Sequence, residues 1–528
     1  MIVDLQREAP PERFVPAVCI VGAGAAGIVL AAELIRRRIP VLLLESGGAR
    51  VEDAAQALGD YEPAGQPQQP PRVGRSRVLG GTTKSWGGQI LPLTAEDFKV
   101  RDWIAGSGWP FPRETLDPFY TRALGAEGLD SAIPEDERIW RRIGMPMPAL
   151  GSELLPYFTR WCPEPDFARL HRAIFASPHL CVALHATVTG LMLSDTRKKI
   201  AGLSYRTPAG KEGVFSAEQY VFCLGTIDTV RLLLQPQRDG HAAPWNASGL
   251  LGRNLQCHID LNAAVISPLD STRLHNYFAN VYAHGLKYHP KFRLAPAVQQ
   301  RERMLNIAGF VTARHPAERS LIRVKAMGRH LLHGRFEGIS RQDLSAAAAQ
   351  LPILLKLADG YIRQHRAYWV PGSDIRLRVH CEQEPLSASI LRLTTEHDAA
   401  GMLRACLDWQ VSPSEWATIR KFTQRVDEDF RRSGIAKLSI HPELLRDDGF
   451  SGLTFENSHH VMGGSRMADD PREGVVTPDL RLHGVRNAFI CSASVFPTSG
   501  FSNPTHTLIA LAIRLADHLA AQAEEPNA

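Results

Sequence analysis

The first chemistry in this chain is Gly22-Ala23-Gly24-Ala25-Ala26-Gly27, a G-x-G-x-x-G run. Ahead of it lies Ala17-Val18-Cys19-Ile20-Val21, apolar and partly β-branched, as a buried parallel strand requires. Behind it come the helix formers of Ile28–Arg38 and a second apolar run, Val41–Leu44, closed by Glu45 and followed by Ser46. Missing Cβ atoms let the backbone turn tightly and approach a pyrophosphate on the helix N-terminus, where free N–H groups and the dipole favour anions. An acid at the end of the second strand suits an adenosine ribose. Strand, glycines, helix, strand and acid fall in order within about 30 residues, so a dinucleotide site is expected rather than a structural turn. NAD and FAD both suit this unit.

A second cluster, Gly80-Gly81-Thr82-Thr83-Lys84-Ser85-Trp86-Gly87-Gly88-Gln89, follows a Pro/Gln-rich loop, Pro63–Pro71. Its two glycine pairs would let the backbone lie against a flat or phosphorylated ligand; a surface loop could have the same composition.

Positioning such sites needs a large scaffold, and 528 residues suffice for a two-lobed enzyme with a sizeable core. With 44% hydrophobic and 22% charged residues, Gly 42 and Pro 36, the chain is not collagen-like, coiled-coil or wholly disordered. Its net charge of +5 is too small to imply nucleic acid. Eight scattered cysteines, none in C-x-x-C spacing, give no reason to expect a metal site and suit reduced thiols in a cytoplasmic protein. Met1–Pro16 lacks the basic patch and apolar run of a secretory signal. No run of about 18 uncharged apolar residues predicts a spanning helix.

The far end of the chain adds His459-His460-Val461-Met462-Gly463-Gly464-Ser465-Arg466-Met467, then Val476–Val485 and Asn487–Thr498, the last including Ser494. Ser502-Asn503-Pro504-Thr505 then opens a helix predicted to run to about Ala520. Together with the N-terminal unit, this order of motifs resembles the glucose–methanol–choline (GMC) family of FAD-dependent oxidoreductases. The likeness is nearest to its bacterial sugar-oxidising and pyranose-oxidase-like branch. Ala186-Thr187-Val188 resembles the family strand whose Val backbone faces the adenine. Val221–Thr226 with Arg231–Leu234 resembles the second signature near FAD, and Leu251–His258 its G-x-N-L-x-x-H block. Glu382-Gln383, on a strand expected around Val379–Pro385, resembles the strand that floors the substrate site.

The resemblance implies an α/β fold: a Rossmann-like FAD-binding domain of the GMC type with a second, discontinuous α+β substrate domain. It implies FAD contacts at Gly22, Gly24, Ala25, Ala26, Gly27, Glu45, Ser46, Gly80, Gly81, Thr82, Thr83, Trp86, Gly87, Gly88, Val188, Gly225, Ser494, Asn503, Pro504 and Thr505. Oxidising an alcohol needs a base for the hydroxyl proton and an acceptor for the hydride, the latter being flavin N5. A neutral imidazole suits the base. The family places it three residues before the glycine of H-x-x-G, which is His460 here; His459 stands one place too early. Its partner at the start of the last helix is Asn503, as in the pyranose-oxidase-like branch. Of the 20 histidines, His459, His483 and His506 are expected to be structural, while His258 is read as ordering the core near the flavin. Some members attach FAD through a His just before the Trp of the second glycine block. Ser85 stands there in this chain, so FAD is expected to be non-covalent.

Residues 1–110, 180–265 and 455–528 are expected to form the FAD domain, and 111–179 with 266–454 the substrate domain. The expected reaction oxidises a sugar or glycoside hydroxyl to a carbonyl, with oxygen, a quinone or a cytochrome taking the electrons. A non-sugar alcohol, a non-redox FAD lyase of the same fold, and a nicotinamide dehydrogenase are the alternatives. Arg319–Arg335 holds five Lys/Arg and no acid, with Leu321, Val324, Met327 and Leu331 at helical spacing. For 319–369 a solvated amphipathic helix is expected ahead of peripheral membrane contact.

Overall fold

Val18–Val21 is buried along its whole length, none of its residues more than 3% exposed, as a central parallel strand demands. In the computed structural model, which describes all residues except 9, 11–13, 134–137, 143, 238, 316–350, 447–453 and 525–528, it pairs with Val41–Leu44 and Gln219–Phe222. Leu180–Leu184 and Ile2–Asp4 extend the sheet beyond Val41–Leu44, and Ala488–Ile490 closes the other edge. All six strands are parallel. The sheet therefore joins the beginning, middle and end of the chain.

The first helix is Ala25–Arg36, beginning three residues before the expected Ile28 because the turn from Val21 is completed by Gly22–Gly24. The last helix, Pro504–Glu524, reaches past the expected Ala520 and lies against the first. Arg122 ties them, donating to Asp517 at 2.6 Å and to Glu33 at 2.7 Å. No helix among the described residues is long and apolar enough to cross a membrane. All eight cysteines are buried and unbridged.

A second, largely antiparallel sheet runs in the order Ala436–Ile440, Ile259–Pro268, Asp374–Cys381, Ile307–Arg314, Leu286–Leu294, Leu154–Trp161, Gln89–Ile90. Along its central strands the side chains alternate between two faces, with a register shift between Asn262 and Ala264. Leu261, Phe292, Leu294, Ile307, Val311, Leu377 and Val379 pack into one core with Trp416, Ile419, Phe422, Val426 and Phe430 of the helix Pro413–Arg432. That helix starts on a capping box, Ser412 with Glu415. The opposite face carries Tyr157, His289, Lys291, Phe310, Arg378, His380 and Asp260, because residues two apart share a face. Small sheets at 187–215 and 390–409, the latter with Tyr61–Gly65, complete the chain.

Of the basic segment, Arg319–Arg335 and Ala346–Ala349 lie outside the described residues. Leu351–Ile362 is a helix with Leu355, Tyr361 and Ile362 largely exposed, while Trp369 packs on His275 at 5.3 Å.

Candidate active site

The glycine turn is held by close backbone packing. Gly22 has φ +105°, and a Cβ there would stand 2.8 Å from the Cys223 carbonyl oxygen. One at Gly27 would stand 2.0 Å from the Gly22 carbonyl oxygen. Gly24 differs, since a Cβ there meets nothing within 4 Å. It begins a helix that has neither a side-chain cap nor an acid in its first turn, so the N-terminal N–H groups stay available. The open space is a long cleft. Of the expected cofactor residues, Gly24, Ala25, Ala26, Glu45, Ser46, Gly81, Thr82, Thr83, Trp86, Gly225 and Thr505 line it. Gly22 and Val188 line a recess bounded by the same Ser46.

Glu45 is held at the strand end: its carboxylate accepts from Ala23 N at 3.2 Å and Gly47 N at 2.9 Å. Burial pushes its pKa up while these two donors pull it back. A helix N-terminus free for an anion, a carboxylate one strand away and a second uncapped helix start at Gly225 suit an adenine dinucleotide such as FAD. Gly24→Val tests this fit: the branched side chain enters open space, so the melting temperature of the cofactor-free protein should hold. Flavin affinity should drop by at least about tenfold, the loss of a single charge-assisted contact, as read by fluorescence titration. Unchanged affinity would place the cofactor elsewhere.

Other expected contacts serve the walls. Gly27 packs on Gly22, and Gly80 turns the chain at φ +101°. A Cβ at Gly87 or Gly88 would approach Trp161 or Pro165. Ser494 is wholly buried, its Oγ accepting from Ser465 Oγ at 2.7 Å. Ser85 Oγ lies 2.9 Å from Ser76 Oγ, and Trp86 Nε1 donates to the Pro165 carbonyl.

His460 and Asn503, 43 positions apart, stand together: Asn503 Nδ2 lies 3.3 Å from His460 Nε2. Nδ1 of His460 lies 3.0 Å from both Ser458 Oγ and His258 Nδ1. With the amide donating to Nε2, the single proton of the neutral ring sits on Nδ1, where His258 or Ser458 accepts it. Nε2 is then the basic atom. Burial, with His380 close by, pushes the His460 pKa down to about 3, so the ring is neutral at working pH. His258, wholly buried, is likewise held well below the usual imidazole value. His380 donates to Asp260 across 2.8 Å, and its ring centre is 6.2 Å from that of His460.

His506 bonds Glu127 at 2.8 Å inside the core, and His483 lies 3.1 Å from the Ala468 carbonyl. His459, expected to be structural too, has φ +61° and lines the same cleft as Gly24 and Glu45. The strand expected around Val379–Pro385 stops at Cys381. Glu382 turns into a buried pair with Arg101, and Gln383 Oε1 accepts from Cys257 N and Trp409 Nε1.

Sequence reasoning passed over Arg77, which lines the cleft and bridges Ser46 Oγ at 3.1 Å and Asp228 at 2.7 Å. It also passed over Ser458, Asp260, His380 and Lys291. For the last, a signal existed: Lys287-x-His289-x-Lys291-x-Arg293 has the strand period of two.

Residues 385–512 match the family described as GMC oxidoreductase. Across 95% of this chain and 97% of its own length, the fructose dehydrogenase large subunit of Gluconobacter japonicus is 22% identical. The 6'''-hydroxyparomomycin C oxidase of Streptomyces lividus is 24% identical over 96% of this chain and 92% of its own. Among solved structures, pyridoxine 4-oxidase from Mesorbium loti shares the fold with a TM-score of 0.57 at 18% identity, covering 95% of this chain and 99% of its own.

Proposed function

We propose that this GMC-type oxidoreductase holds FAD without a covalent bond and oxidises a sugar or glycoside hydroxyl to the carbonyl, with His460 as base and Asn503 as its partner. One observation carries the reading: Nε2 of a neutral, buried imidazole meets an amide donor within 3.3 Å, beside a cleft suited to a dinucleotide. The sugar-type relatives, a fructose dehydrogenase and a paromomycin-series oxidase, favour that substrate class.

FAD, when bound, supplies the hydride acceptor. Gly24–Ala26, Glu45 and Thr82–Thr83 would hold it, and the helix starts at Ala25 and Thr226 would face its charge. The substrate hydroxyl takes the place between Nε2 and the Asn503 amide. Nε2 accepts its proton, and the amide donates to the oxygen left behind. Ser458 and His258 keep the Nδ1 proton in place, so the ring needs no reorientation. Oxygen, a quinone or a cytochrome then takes the electrons. Residues 1–110, 180–265 and 455–528 form the FAD-binding part and 111–179 with 266–454 the substrate part in this reading.

Anaerobic mixing of the yellow protein with sugars, glycosides and simple alcohols tests the function. Bleaching by sugars but not by simple alcohols is expected; no bleaching by any alcohol would favour the non-redox lyase. Denaturation tests the attachment. With Ser85 before Trp86, all of the flavin should pass through a size-exclusion filter, and colour left on the polypeptide would refute it.

A further inference from the structure

We propose that the sugar oxidised here carries a carboxylate or a phosphate, held by the basic strand Leu286–Leu294 opposite His460. The inference rests on the reading of His460 and Asn503 as the reacting pair. Four alternate positions of that strand, Lys287, His289, Lys291 and Arg293, are basic, while Tyr288, Phe292 and Leu294 between them are buried. The strand period puts the four on the sheet face that carries Phe310, Arg378, His380 and Asp260, a stripe about 20 Å long.

Lys291 is the telling residue. Only 5% exposed, it donates to Gln89 Oε1 at 3.3 Å and lies over the Phe310 ring at 4.5 Å. Gln89 belongs to the second glycine block, and Lys291 stands close enough to His460 to disfavour that ring's protonation. Asp260, the acid of this face, is already engaged by Arg378 and His380. Asp374 engages Arg376 at 2.6 Å. Among the described residues, neither Lys291 nor Arg293 has a carboxylate within 4 Å. A buried ammonium whose nearest acid, Asp260, is shared with Arg378 and His380 is costly, and packing alone would be served as well by Met or Leu. An anionic substituent supplies the missing partner and bonds the donor positions that Gln89 leaves open. The same charges repel polycationic aminosugars.

Calorimetry on the flavin-loaded protein tests this without turnover. D-glucose, D-gluconate, D-glucuronate, glucose 6-phosphate and D-glucosamine serve as probes, with acetate and inorganic phosphate as bare anions. At least one acid-bearing sugar should bind about 10- to 100-fold tighter than glucose, and glucosamine more weakly than glucose. Lys291→Met should erase that preference, bringing the acid-bearing sugar to within about threefold of glucose. Lys291→Gln serves if the Met variant does not fold. Equal affinity for neutral and acidic sugars, no binding by any anion, or a preference that survives in the variant overturns the proposal. Flavin bleaching is read separately: its absence would refute the redox reading and leave the calorimetric result to judge the anion site.

Discussion

His460→Ala is expected to slow anaerobic flavin reduction by an alcohol about 10²- to 10⁴-fold while the protein stays yellow. The loss follows from position. Nε2 meets the Asn503 amide, and in the proposed arrangement its loss removes the acceptor for the hydroxyl proton. His258, the nearest imidazole, faces Nδ1 rather than Nε2, and His380 is 6.2 Å away between ring centres and engaged with Asp260. Flavin content should persist, because His460 is not among the residues lining the dinucleotide cleft. Stopped-flow absorbance measures the rate, and reduction within about threefold of wild type would move the base elsewhere.

The same residue fixes the pH dependence. A base works unprotonated, so activity falls as pH drops through its pKa. Burial holds that value near about 3, far below the ordinary imidazole value. With a neutral alcohol, the wild-type rate should be flat between about pH 5 and 8 and show no limb near the ordinary histidine value of about 6.5. A limb there would mean that His460 is open to solvent in the working protein.

The second large effect is on stability. Arg101 donates to both oxygens of Glu382, at 2.7 and 2.6 Å, and both side chains are at most 4% exposed. Glu382 also accepts from Asn306 N at 2.9 Å, and Asn306 Nδ2 donates to Asp97 at 2.8 Å. Burial and the charge of Glu382 push the Asp97 pKa up to about 6. Removing the guanidinium leaves two carboxylates facing each other out of water. Arg101→Met should therefore cost about 3–5 kcal/mol in urea unfolding followed by tryptophan fluorescence. Adding Glu382→Leu should restore much of that, because apolar side chains of similar size often replace a buried ion pair without loss. A single variant within about 1 kcal/mol of wild type would show that water reaches the pair.

How much could be read from the chain follows from distance along it. The glycine turn was legible because its strand, glycines, helix and acid are neighbours, and local backbone sterics dictate each of them. The relation between His460 and Asn503 came from motif resemblance, and their 3.3 Å separation is a fact of folding. Glu382 looked like part of the floor, but the strand ends one residue earlier and its carboxylate turns to Arg101, 281 positions away. His258, Asp260 and His380 become neighbours through the antiparallel register of Ile259–Pro268 and Asp374–Cys381, which no single segment encodes.

The basic stripe lies between the two cases. Its period of two is written in the sequence, but an alternating strand has two faces and the letters do not say which one meets solvent, core or site. The helix Pro413–Arg432 settles it by burying Phe292 and Leu294 on one side, which leaves Lys291 on the other, within electrostatic reach of His460. Local spacing thus determined the cofactor turn. Tertiary packing decided which charges surround His460 and Asn503, because burial and register are properties of the whole sheet.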